Sequence, residues 1–151
     1  MNIDIIAIGR MKNTAHIELF QDYLRRMDWN VRVKEIESKH KDQKKMHDDE
    51  CAQLIKNLSD GATIIAMDER GNTLPSRDFA DKFQNWQNEG LSHVQFFIGG
   101  ADGLNDQIRK RAELLLSFGK QTWPHMLARI MLLEQIYRAQ QILKNHPYHR
   151  D

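Results

Sequence analysis

The sequence predicts an α/β protein with a mostly parallel sheet flanked by helices, and three observations lead there. Five short runs rich in Ile, Val, Leu and Phe alternate with segments whose apolar residues recur at helical spacing, the order expected of strand-helix-strand units. Two of these runs, Ile64-Ile65-Ala66-Met67 and Phe96-Phe97-Ile98, do not alternate with polar residues, which marks strands covered on both faces. Three runs open into polar or glycine-containing loops, and the carboxyl ends of strands are where open α/β sheets place their sites.

The elements follow in order. Ile3, Ile5, Ile6 and Ile8 form a first strand closed by Gly9-Arg10, and Ile17, Phe20, Tyr23, Leu24 and Met27 share one face of a helix from Thr14 to Met27. Val31 and Val33 alternate with charged residues in a second strand ending near Ile36, a pattern suited to a sheet edge. Ser38 to Lys45 holds no apolar residue and reads as a solvated loop; a helix from Asp48 to Leu58 then buries Cys51, Leu54, Ile55 and Leu58 before Gly61. Ala62 to Met67 is the central strand, followed by a loop at Asp68-Glu69-Arg70-Gly71. Ser76 is expected to cap the next helix, with Asp78 in its first turn and Phe79, Phe83 and Trp86 on its inner face. After Gly90 come the strand at Val94 to Ile98, a short helix from Leu104 to Ala112, and a strand at Leu114 to Phe118. A loop from Gly119 to Pro124 leads into the longest helix, Met126 to Asn145, whose apolar band is interrupted by Glu134. That band exceeds what one small sheet covers, so a homodimer contact is expected.

Composition bounds the function. The 151 residues, 40% hydrophobic and 28% charged, suit one domain spanning residues 1–151. No apolar segment approaches the length of a membrane span, and one cysteine, Cys51, forms no internal disulfide, so a cytoplasmic setting is expected. A formal net charge of +1 argues against coating nucleic acid by bulk electrostatics and leaves local patches: Arg25-Arg26, Lys39 to Lys45, Arg109-Lys110-Arg111, and the Lys144 to Arg150 tail. Metal chemistry has little support, because only His146 and His149 pair at short spacing. The nucleophile elbow G-x-S-x-G and the phosphate loop G-x-x-x-x-G-K-[ST] are both absent. What remains is three strand-end loops rich in glycine and backbone groups, a wall suited to an adenosine-like cofactor.

Several motifs together carry a more specific reading: Ile98-Gly99-Gly100 with Gly103-Leu104, Leu116-Ser117-Phe118 through Thr122-Trp123-Pro124-His125, Arg129, Glu134 through Ala139, and Tyr148-His149. In these the chain resembles the SPOUT, or α/β-knot, RNA methyltransferases over its whole length. The resemblance implies a C-terminal trefoil knot, an obligate homodimer, S-adenosyl-L-methionine bound in the knot, and methyl transfer to N3 of a pseudouridine in large-subunit rRNA within the assembled ribosome. The cofactor positions it implies are Met67, Gly99 and the run Phe118, Gly119, Lys120, Gln121, Thr122, Trp123. Met67 stands where leucine is commoner, Asn72 replaces a frequent lysine, and Trp123 replaces a smaller apolar residue.

Since N3 of a pseudouridine carries a proton, a base or a polarising cation is needed beside it. Tyr148, His149 and Arg150 in the tail, with Glu134 and Arg138 on the last helix, are the candidates for the RNA-facing site, and Arg109, Lys110 and Arg111 for phosphate contacts. Four residues apart on a helix, Glu134 and Arg138 also fit an ordinary ion pair. The alternative function is a non-catalytic nucleotide-binding module on the same fold.

Overall fold

The computed structural model describes residues 1–150. Five strands form one sheet in the order β2-β1-β4-β3-β5, and all its pairings are parallel. The strands are β1 (Asn2–Ile8), β2 (Asn30–Ile36), β3 (Thr63–Asn72), β4 (His93–Ile98) and β5 (Leu114–Leu116). Between and after them run α1 (Thr14–Arg26), α2 (Gln43–Ile55), α3 (Ser76–Asn88), α4 (Asp106–Arg111) and α5 (His125–Leu143). The expected α/β class, and the placement of charged β2 at an edge, are both borne out.

Each central strand alternates its apolar side chains between two cores. Ile3, Ile5, Ala7, Ile65, Phe96 and Ile98 pack against Phe20 of α1, Phe79 and Phe83 of α3, and Ile130, Leu133 and Ile136 of α5. On the opposite face Ile6, Ile8, Ile64, Ala66 and Phe97 meet Leu54 of α2 and Ile108 of α4. Both faces are therefore covered, which is why these strands read as unbroken apolar runs.

Several boundaries differ from the sequence expectation. The loop expected through Lys45 ends earlier, because α2 starts at Gln43, where the Asp42 side chain accepts the Lys45 backbone N–H at 2.9 Å. This exposed first turn buries nothing, so hydrophobic periodicity gave no sign of it. Ser76 is the first helical residue of α3 rather than its cap; Pro75 holds the cap position, and Ser76 Oγ donates to Gln135 Oε1 of α5 at 2.8 Å. The polar stretch Asp68-Glu69-Arg70-Gly71, expected as a loop, lies within β3, which is irregular there: Met67 and Asn72 both register against Leu116 of β5. At Gly71 a Cβ would lie 2.5 Å from the Leu115 carbonyl carbon, so two backbones touch and only glycine fits.

Arg129 is wholly buried and ties α5 to the first two strands. Its Nη1 donates to Glu35 Oε1 at 2.6 Å, and its Nη2 to the carbonyls of Ile8 and Gly9 at 3.1 and 3.0 Å. No helix among the described residues is long and apolar enough to cross a membrane.

Candidate active site

The carboxyl ends of β3, β4 and β5 lie side by side, and their loops enclose a cleft of about 540 Å³. Met67 ends the regular part of β3 and Ile98 ends β4; Gly99, Gly100 and Gly103 follow, and Leu116 to Gly119 leaves β5. The chain then returns as Gln121, Thr122 and Trp123 along the rim. Every cofactor position implied by the sequence lines this cleft except Lys120, which is exposed beside it.

Bare backbone forms one wall. Gly103 N donates to Gly100 O at 3.0 Å, closing a tight turn in which Gly103 has φ of 72°. A Cβ on Gly99 would stand 2.6 Å from the Gly103 carbonyl carbon, and one on Gly100 would stand 2.8 Å from Glu50 Oε2. The loop after β5 is shaped by its own side chains: Ser117 Oγ donates to Gly119 O at 2.9 Å, and Trp123 Nε1 to Phe118 O at 3.3 Å. Apolar Met67, Ile98, Leu116 and Phe118 face this bare backbone across the cleft, an arrangement that fits a flat heteroaromatic group held by main-chain contacts.

Asp68 and Arg109 supply the charge at this end of the sheet. Arg109 Nε donates to Asp68 Oδ2 at 2.6 Å, and the Arg70 backbone N–H donates to Asp68 Oδ1 at 2.9 Å. Burial raises the Asp68 carboxyl, but the hydrogen bonds from Arg109 and Arg70 outweigh it and hold the group below its ordinary value. Arg109, expected as a phosphate contact, lines the cleft and has Asp106 as a second partner at 3.1 Å. Lys110 and Arg111 remain exposed on α4. Below the glycine turn, Glu50 of α2 is buried, and burial pushes its carboxyl up. Asp68 was read only as part of a strand-end loop, Glu50 was not singled out from the sequence, and His125, which also lines the cleft, was read only as part of a family motif. Their only signal was position, after β3, under the glycine loop and after Pro124.

A second cleft, about 610 Å³, opens on the other side of Leu116 to Gly119 and reaches Leu19, Tyr23, Met131, Glu134 and Gln135. Glu134 is the centre of a cluster there. Its Oε1 accepts from Arg138 Nη2 at 2.5 Å and from the Tyr148 hydroxyl at 3.0 Å, while Arg138 Nη1 stands 3.2 Å from His149 Nδ1. The four residues singled out from the last helix and tail thus converge, and the Glu134-Arg138 pair has tail partners that an ordinary surface pair lacks. Arg150 is exposed beyond them. Burial, then hydrogen bonds with Tyr23 and Glu134, raise the Tyr148 phenol far above its ordinary value, so it stays neutral and donates. A guanidinium only donates, so His149 Nδ1 accepts and the neutral ring carries its proton on Nε2.

Comparison with known proteins agrees with this geometry. The family model described as predicted SPOUT methyltransferase matches residues 1–149. Proteins named ribosomal RNA large subunit methyltransferase H are 44% identical in Rhodospirillum centenum and 44% in Paramagnetospirillum magneticum, each alignment covering 99% of both chains. The protein of that name in Zymomonas mobilis is 41% identical over 100% of this chain and 99% of its own. A solved structure, described as a probable methylase family protein from Haemophilus influenzae Rd KW20, superposes with a TM-score of 0.55 over 99% of this chain and 70% of that one; at 12% identity it speaks for the fold alone. With its full-length relatives and a cleft built where the family motifs fall, this chain belongs to the SPOUT methyltransferases.

Proposed function

We propose that this protein uses S-adenosyl-L-methionine to methylate N3 of a pseudouridine in 23S rRNA on the assembled ribosome. It works in the cytoplasm as a homodimer, and residues 1–151 act as one SPOUT domain. The observation that carries the reading is the pairing of two sites across a single loop: Phe118 and Gly119 line both the glycine-walled cleft and the cleft lined by Glu134, to which the Tyr148 hydroxyl donates. The names of the full-length relatives supply the substrate class. The trefoil knot is what membership of the family implies for the C-terminal segment.

The glycine-walled cleft fits S-adenosyl-L-methionine: Met67, Ile98 and Leu116 would offer apolar surface to its base, and the backbone of Gly99 to Gly103 would approach it without side chains. When bound, this cofactor would supply an electrophilic methyl group on a sulfonium; as N3 takes the methyl, the methyl–sulfur bond breaks to leave a neutral thioether, and the N3 proton leaves to solvent water. His149, with its proton on Nε2, is a donor; it polarises a uracil carbonyl flanking N3 rather than taking the N3 proton. Arg138, whose charged form is favoured first by its hydrogen bond to Glu134, adds positive charge where the deprotonated base carries its negative charge. Lys110, Arg111 and Arg150 are exposed and reach phosphates. A nucleotide-binding module without catalysis has no use for the tail cluster.

Nucleoside analysis of 23S rRNA tests the assignment. A strain lacking the protein is expected to lose one methyl group from one pseudouridine and to regain it with the wild-type protein but not with His149→Ala. An unchanged modification profile in the deletion strain refutes the substrate.

A further inference from the structure

Arg26, at the end of α1, meets both α5 and the tail ring with its side chain, as Tyr23 one turn earlier also does. Its guanidinium carbon lies 4.5 Å from the Tyr137 ring centroid, 5.4 Å from Tyr23 and 5.6 Å from Tyr148. Those rings contact each other in series, Tyr23 to Tyr137 at 6.0 Å and Tyr137 to Tyr148 at 4.9 Å edge to face. One cation thus joins α1, α5 and the tail through three aromatic faces. The neighbouring Arg25 does nothing comparable: it pairs with Asp22 at 3.3 Å and its side chain is 69% exposed.

We propose that Arg26 is a positioning residue for methyl transfer: it holds the Tyr148 ring against Tyr137, so that the Tyr148 hydroxyl reaches Glu134 and the adjoining His149 stands beside Arg138. The inference rests on the tail reading given above. Two features separate this role from general support of the fold. The Arg26 side chain is 40% exposed, so its removal opens no cavity in the core. Nothing else from the N-terminal half of the protein stacks on Tyr148 apart from the Tyr23 hydroxyl contact, and the tail follows Asn145, which takes a positive φ of 55° as the helix ends. Tyr148 therefore docks on α5 through its side chain, without a continuing helix to direct it.

Hydrogen exchange of residues 144–150 in the full-length protein, read beside single-turnover methylation of ribosomes, tests the proposal. Arg26→Ala is expected to speed tail exchange and slow methyl transfer by about ten-fold each, with cofactor affinity and melting temperature nearly unchanged. Arg26→Lys, which retains a cation over the rings, is expected to recover much of both losses. Arg26→Ala placed on Tyr148→Ala is expected to slow the reaction no further, since the ring it positions is already gone. Unchanged tail exchange in Arg26→Ala, or a rate loss that adds fully to that of Tyr148→Ala, overturns the proposal. If Tyr148→Ala is slow and Arg26→Ala is not, only the role of Arg26 falls. If Tyr148→Ala methylates at the wild-type rate, the catalytic reading of the tail falls and takes the positioning role with it.

Discussion

At the scale of single residues, the cofactor wall depends on missing side chains. Gly99 has no room for a Cβ, because the backbone of Gly103 occupies that space at 2.6 Å. Adding one forces the turn away from the end of β4 and displaces the backbone that meets the cofactor. Gly99→Ala is therefore expected to weaken S-adenosyl-L-methionine binding by roughly ten-fold or more in calorimetric titration while the protein stays folded; native affinity in that variant contradicts the wall assigned to Gly99. The sequence made this wall legible, since three glycines within five residues after a buried strand are hard to place elsewhere. It concealed the roles of Asp68, Glu50 and Arg26, which depend on partners distant along the chain. Arg109, expected as a phosphate contact, also bonds to Asp68, 41 residues earlier, a partner that local sequence does not show.

At the scale of elements, periodicity identified all five strands and five helices, and the errors fall where an element has no buried face. The first turn of α2 and the outer part of β3 are polar, so local pattern cannot distinguish them from loop. Strand order was also beyond local pattern, yet polar residues at the amino ends of the strands help to fix it. Asp4 of β1 accepts from His93 Nε2 of β4 at 2.7 Å, from Arg32 Nε of β2 at 2.9 Å and from Gln95 Nε2 of β4 at 3.3 Å. Burial raises the Asp4 carboxyl, but these hydrogen bonds together outweigh it and leave the folded-state pKa below the ordinary value. A lowered carboxyl pKa contributes stability that is full above the unfolded value of about 3.9 and is lost as pH falls from there through the lower folded-state pKa. Urea midpoints measured between about pH 5 and 3 should therefore fall more steeply in wild type than in Asp4→Asn. Parallel curves for the two proteins mean that Asp4 does not carry this linkage.

At the scale of the whole molecule, the sheet brings three loops together at one end, and α5 carries the chain from the last of them to the tail cluster. Arg129 seats that helix by donating to the ends of β1 and to Glu35 of β2, so one buried cation fixes the helix that presents Glu134 and Arg138. The apolar face of α5, expected to serve a dimer, is largely used within the chain: Ile130, Leu132, Leu133 and Ile136 are buried, and Leu127 is left exposed at the helix start. The proposed homodimer rests instead on surface around the second cleft, where Leu19 and Leu127 are exposed and Met131 is half-buried. Neither the trefoil knot nor the dimer was legible in residue periodicity, because both depend on how distant segments pass one another. The central claim is that the two clefts form one methyltransferase site, and transfer of labelled methyl from S-adenosyl-L-methionine to ribosomes purified from cells lacking this protein tests it most directly. The account predicts label in the large-subunit rRNA alone, confined to N3 of one pseudouridine; cofactor binding without transfer, or label spread over many nucleosides, would contradict it.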